Sequence, residues 1–178
     1  VGEDQLPHLE LAREIARRFN YMYSPVFPEP QAKLSKTAVL PGTDGRKMSK
    51  SYGNTIQIAD PPERIREAVK SMVTDPARIH KSDPGHPEVC TVFAYQSAFA
   101  PEAAEQRRGE CEGAEIGCVA CKRQLADTLI SVLAPIHERR RQLEATPGLI
   151  ESIIDDGAMR ARPMAARTLE EVRSAMKI

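Results

Sequence analysis

The sequence predicts a mainly α-helical fold, and three observations predict it. Apolar residues recur at three- and four-residue spacing over most of the chain, which is the helical period. Asp60-Pro61-Pro62-Glu63 carries a side-chain acceptor, proline and glutamate in the order that opens a helix. Pro25, Pro28, Pro30 and Pro41 interrupt the stretch from Tyr21 to Pro41, so extended chain and loops are expected there.

Taken in order, Leu11, Ile15 and Phe19 recur every four positions with Ala12 and Ala16 beside them, predicting an amphipathic helix from Asp4 to Phe19. Pro7 is compatible with it, because an N–H in the first turn has no intrahelical acceptor to lose. Gly42-Thr43-Asp44-Gly45-Arg46 predicts a turn leading into a mobile loop. Beyond the Asp60 helix start, Ile65, Val69, Met72 and Val73 form the stripe expected to be buried. Helices follow over Val89 to Phe99 and Val119 to Leu143, the second with Leu125, Leu129, Leu133 and Ile136 on one face and a bend at Pro135. Thr146-Pro147 opens a helix through Ile150, Ile153 and Ile154 that Gly157 ends, and the last runs through Leu169, Val172 and Met176. The domain boundary is expected near Ile58 to Pro62.

Length and composition set outer bounds. A chain of 178 residues with 41% hydrophobic content can bury a real core as one or two domains. Lys plus Arg equals Asp plus Glu at 25 each, so any affinity for nucleic acid has to come from local patches. No apolar run approaches the length that spans a bilayer, and Val1-Gly2-Glu3-Asp4-Gln5 carries no signal segment, so a cytosolic protein without membrane contact is expected. The absence of an initial methionine predicts that a segment precedes Val1.

The chemistry concentrates in Lys47-Met48-Ser49-Lys50-Ser51, where two ammonium groups and two hydroxyls lie between Gly45 and Gly53. Such a loop can wrap an anion, although it lacks the Walker spacing of ordinary phosphate loops. An isolated Lys-x-x-Lys would be a solvated basic turn, but this run resembles, letter for letter, the second signature of class I aminoacyl-tRNA synthetases. The resemblance implies that Lys47 and Lys50 are catalytic, holding the phosphates of ATP and stabilising charge on the departing pyrophosphate, with Met48, Ser49 and Ser51 completing the ATP contact. Attack comes from an amino-acid carboxylate, so neither serine is a nucleophile.

Gly2-Glu3-Asp4-Gln5 followed by His8-Leu9-Glu10-Leu11 can be read as a capped helix with Asp4 at the N-cap. Together with the regular helix behind it, the segment resembles the tryptophanyl-tRNA synthetases. That resemblance implies that Gly2, Glu3 and Asp4 lie against ATP, that Gln5 lies near the amino-acid end of the adenylate, and that Ala38 meets adenine through its main chain. It also implies tryptophan-tRNA ligase activity with ATP and Mg2+, and tRNA(Trp) and tryptophan as partners. A homodimer is expected at full length. Residues 1–60 would be the remnant of a Rossmann-type catalytic domain, and 61–178 an α-helical anticodon-binding bundle. The first half of that catalytic fold is not in this sequence, so the chain is expected to be inactive alone.

Cys90, Cys111, Cys118 and Cys121 are the only cysteines, with 20, 6 and 2 residues between them. In a cytosolic protein two disulfides are disfavoured, and Cys118-Val119-Ala120-Cys121 has ligand spacing, so a metal site is favoured. One Cys-x-x-Cys unit with two separate cysteines suits either zinc or a four-iron cluster. The resemblance extends to a bacterial subset of the family with the same Cys-x6-Cys-x2-Cys ending, and implies a [4Fe-4S] cluster on all four, with Zn2+ the alternative. Near it, Arg107-Arg108, Lys122-Arg123 and Arg139-Arg140-Arg141 interleave with glutamates, and most single charges are solvated ion pairs. Lys122 and Arg123 are the candidate RNA-binding pair, and the four histidines are read as polar or packing residues. Two other readings are a tyrosyl-type synthetase, with the same loop and another pocket, and a stand-alone metal-dependent RNA-binding module.

Overall fold

The computed structural model describes residues 1–34 and 39–178. It is built of six helices among those residues: α1 (Leu6–Met22), α2 (Pro62–Ser71), α3 (Thr91–Phe99), α4 (Pro101–Glu112), α5 (Cys118–Glu144) and α6 (Leu149–Met176). The only β pairing among them is an isolated antiparallel bridge between Pro41 and Lys47. Among the described residues no helix is long and apolar enough to cross a membrane. The chain divides into two compact units, Val1–Val39 with Gln142–Ile178 and Leu40–Arg141. The break read at residues 58–62 falls inside the second of these.

The second unit holds the core. Ile65, Val69 and Met72 of α2, Val92 and Tyr95 of α3, and Leu125, Ala126 and Leu129 of α5 form one buried cluster. Each helix contributes residues three or four apart, so each lays one face into it. Val73, expected in that stripe, is 44% exposed, because α2 ends at Ser71 and the extended backbone beyond turns the next side chain outward. The Tyr95 hydroxyl donates to the Pro41 carbonyl at 2.8 Å, tying the approach to the lysine loop onto α3. Asp60 does not cap α2. Its carboxylate accepts from the Gln57 N–H at 2.8 Å, while Pro61 takes the N-cap and Pro62 the first helical position. α4 is an addition to the sequence reading; it is mostly charged and polar with little apolar periodicity, and Pro101 supplies its start.

In the first unit the helical pattern overstated burial. Leu11 and Ile15 are 60% and 63% exposed, and only Ala16 of α1 is buried. What organises the end of α1 is Asn20, whose side-chain oxygen accepts from the Val26 and Phe27 N–H groups while its amide donates to the Phe27 carbonyl. Gly157 does not end a helix. The left-handed glycine is Gly148, at the N-cap of α6, and the helix continues through both Gly157 and Pro163 to Met176. Pro163 removes the bond to the carbonyl of exposed Met159, as Pro135 does to exposed Ser131, where water can replace the partner.

One buried carboxylate sits on the loop after α2. Asp75 is 5% exposed and accepts from the Ala77 N–H, the His86 N–H and the His86 ring, the last at 2.8 Å. Burial works against its charge, but these three donors outweigh it and hold the carboxyl below its ordinary value. The carboxylate in turn raises His86 above the usual histidine value of 6.5. Because His86 is raised, its contribution is complete below about pH 6.5 and fades as pH rises through the higher folded value; that of Asp75 is present above about pH 4 and fades only as acid reaches its lowered value. The thermal midpoint is therefore expected to fall as pH is raised above about 6.5, and His86→Gln to remove that part of the fall. An unchanged slope in the variant would refute the pairing.

Candidate active-site loop and cysteine centre

The lysine loop is a braced turn. The Gly42 N–H donates to the Arg46 carbonyl at 2.7 Å and the Gly45 N–H to the Gly42 carbonyl at 2.9 Å. Gly45 adopts φ 79°, as the tight return toward the Pro41–Lys47 bridge requires. Successive side chains in the extended segment then point to opposite sides. Met48 packs against the core cluster, and Lys47 and Lys50 are exposed. Among the described residues neither ammonium has a hydrogen-bonded or ionic partner. The Ser49 and Ser51 hydroxyls lie 2.8 Å apart, and a single 3-10 turn over Lys50–Tyr52 closes the loop. The arrangement presents two unneutralised cations on a backbone held by the core, which suits an oligophosphate.

The residue beneath the loop is one that sequence reasoning missed. Asn54 is 2% exposed, and its side-chain oxygen accepts from the Ser49 N–H at 2.8 Å. Its amide donates to Asp44 at 2.8 Å and to the Lys47 carbonyl at 3.1 Å. The bond from Asn54, reinforced by Arg46, holds the Asp44 carboxyl down at about 2. Nothing in the spacing of a Gly-Asn pair singles this residue out, since the same pair is common in solvated turns.

Gly2, Glu3, Asp4 and Gln5 fall in the first unit, where Glu3–Gln5 make one 3-10 turn before α1. Asp4 caps neither element; its carboxylate accepts from the Gln5 amide at 3.0 Å, and both acidic side chains are exposed. Ala38, expected at adenine, lies outside the described residues.

All four cysteines are free and half-buried in the second unit. Cys90 precedes α3, Cys111 lies in the last turn of α4, and Cys118 and Cys121 lie in the first turn of α5. Burial raises the Cys111 thiol; Arg78 opposes this, while Cys90 and Cys118 add to it. Burial likewise pushes Cys121 up to about 11, with Cys90 and Cys111 adding to it. Arg78 donates to the Cys111 sulfur at 3.8 Å and Gln96 to the Cys121 sulfur at 3.5 Å. A Cβ on buried Gly85 would strike the Cys111 sulfur, so this approach requires glycine. Among the described residues no three His, Cys, Asp or Glu side chains converge tightly enough to hold a metal ion as they stand.

Lys122 and Arg123 line a cleft of about 710 Å³ between α2 and α5, together with Arg66, Lys70 and Asp127. The Lys122 ammonium donates to the Lys70 carbonyl at 2.9 Å, and Arg66 pairs with Asp127 at 3.1 Å. The tertiary fold thus adds Arg66 and Lys70, distant in sequence, to the pair on α5. Two histidines also have defined partners: His86 on Asp75, and His137 on the Ile58 carbonyl at 2.7 Å.

Residues 1–134 match the family model described as tRNA synthetases class I (W and Y). The chain is 49% identical over its whole length to tryptophan–tRNA ligases of Aquifex aeolicus and Thermotoga maritima, covering 46% and 55% of those proteins. It also superposes along its whole length on 56% of the tryptophanyl-tRNA synthetase of Campylobacter jejuni, solved with ADP and tryptophan, at a TM-score of 0.77 and 29% identity. The chain spans about half the length of the curated relatives it matches. With a family model covering most of its residues and a loop that carries the second signature intact, the chain belongs to the class I tRNA synthetases of the tryptophan and tyrosine group.

Proposed function

We propose that this chain is the carboxyl-terminal portion of a tryptophan–tRNA ligase, which activates tryptophan with ATP and Mg2+ and transfers it to tRNA(Trp). The observation that carries the reading is the Lys47 to Ser51 loop, with two exposed ammonium groups that have no partner among the described residues, on a backbone held by Met48 and Asn54. In the reaction the tryptophan carboxylate attacks the α-phosphate of ATP and pyrophosphate leaves. Lys47 and Lys50 bear on the β- and γ-phosphates and on the charge that accumulates there as the bond breaks. Met48, Ser49 and Ser51 supply the rest of the loop's contact with ATP. Gly2, Glu3, Asp4 and Ala38 form the nucleoside side of the site and Gln5 the adenylate side. Residues 1–60 then close the catalytic domain, and 61–178 recognise the anticodon. The test is pyrophosphate exchange by the full-length protein, expected with tryptophan and ATP. Exchange with tyrosine instead would move the assignment to the tyrosyl branch, and tRNA binding without any exchange would reduce it to an RNA-binding module.

We further propose that Cys90, Cys111, Cys118 and Cys121 hold a [4Fe-4S] cluster. The support is chemical: four free, half-buried thiols in one unit, two of them already receiving N–H donors of the kind that surround cluster sulfurs. No step of aminoacylation requires a redox group, so the cluster would brace the start of α3 and the α4–α5 connection. Anaerobic purification is expected to yield a brown protein with about four irons per chain, lost on Cys118→Ser. A colourless protein carrying one zinc ion would replace the cluster with the alternative site.

Lys122 and Arg123 are proposed to contact tRNA phosphates from the cleft that also displays Arg66 and Lys70. Charge reversal of both is expected to weaken tRNA binding and to lower the slope of log affinity against log salt by about 2. An unchanged slope would remove the cleft from the RNA surface.

A further inference from the structure

We infer that Asn54 is a positioning residue for the adenylation step, its carboxamide setting the backbone from which Lys47 and Lys50 project, in a seat that Gly42 leaves open. The inference rests on the activation reading above and extends it to residues outside the lysine signature. Asn54 is buried, and each polar atom of its amide is used on the loop side. The oxygen takes the Ser49 N–H, and the nitrogen gives one hydrogen to the Lys47 carbonyl and the other to Asp44. The two main-chain bonds fall one on each side of Met48, which is itself packed on the core. Residues 47 and 49 are thus held at fixed positions, and the lysine side chains leave from a rigid base.

Only a carboxamide of this length meets the demand. It must accept once and donate twice within one plane; a carboxylate cannot donate, and an apolar side chain would strand the Ser49 N–H. The fit is close on the opposite wall as well. A Cβ on Gly42 would collide with the Asn54 amide nitrogen, although Gly42 does not occupy a left-handed conformation. Gly42 is therefore required by what it adjoins, and alanine there would displace the amide without altering its chemistry. Asp44 completes the seat, its carboxylate fixed by the Arg46 N–H at 3.0 Å and the Arg46 Nε at 2.8 Å. Asn54 itself is 2% exposed and its amide is fully used on the loop, so it acts through Lys47 and Lys50 and not on ATP itself.

The experiment is a double-variant cycle of Asn54→Ala and Gly42→Ala in the full-length protein, read as kcat and KM in tryptophan-dependent pyrophosphate exchange. Misplacing a catalytic group by about 1 Å costs on the order of 100-fold. Asn54→Ala is expected to lower kcat by about that factor, with KM for tryptophan held within about twofold. Gly42→Ala is expected to lower kcat similarly, and the double variant to match Asn54→Ala alone, because the overlap is with the amide group and only a 3.1 Å contact with the Cβ of residue 54 remains. Exchange by Asn54→Ala within about threefold of the parent would overturn the inference. So would losses that multiply in the double variant, or a loss explained wholly by unfolding at the assay temperature as read by circular dichroism. A parent protein with no exchange at all would overturn the activation reading and this inference together, whereas an active parent with an indifferent Asn54→Ala would overturn only the positioning role.

Discussion

Replacing Lys50 with alanine in the full-length protein is expected to lower kcat for pyrophosphate exchange by about 100- to 1,000-fold, the loss that follows removal of one preorganised group facing developing charge. Lys47→Ala should fall in the same range. The double variant should lose less than the product, because in the proposed reaction both ammonium groups serve one phosphate chain. Stability should barely move: both side chains are exposed and no group among the described residues depends on them, and surface changes of that kind stay within about 0.5 kcal/mol. Rate and thermal midpoint measured on the same preparations separate the two effects. A rate within about threefold of the parent would show that the loop only shields the site.

The largest stability effect is expected at Leu125, which is fully buried where α5 meets α2 and α3. Leu125→Ala should cost about 2–5 kcal/mol, from lost transfer energy and the cavity left behind. For a chain of this size that corresponds to a fall on the order of 10 °C in the thermal midpoint. Leu11→Ala, at a position with the same helical periodicity, should cost about 0.5 kcal/mol or less, since Leu11 is 60% exposed. Equal losses at the two positions would contradict the burial pattern. The comparison also bears on the cysteines: Cys121 packs against the same cluster as Leu125, so loosening that core should loosen the cysteine site with it.

Membership of the family was legible before any fold was known. The five residues from Lys47 to Ser51 carry their meaning in order and identity, and the structure adds only which of them face outward. The cysteine spacing is likewise a sequence property, although how near the thiols lie to one another depends on how α3, α4 and α5 pack. Ile65, Val69, Leu125 and Leu129 were readable as core because period and hydrophobicity agreed. The same reasoning overstated Leu11 and Ile15, which have the amphipathic pattern and remain exposed. A stripe shows which face would be buried and not whether a partner covers it.

The sequence by itself determined local grammar: the helix period, the turn at Gly42 to Arg46, and a lysine loop of a recognisable family signature. Only the tertiary structure decided what that grammar serves. Gly157 stayed helical because its backbone never turned left-handed, while Gly148 did. Asp60 bonded to its own turn instead of capping α2, and Arg66 and Lys70 joined Lys122 and Arg123 at one cleft. Asn54 became the brace of the lysine loop because the fold buried it against Gly42 with three partners in reach. Burial and hydrogen-bond pairing are properties of groups brought together from distant positions, and a one-dimensional pattern cannot state which groups those are.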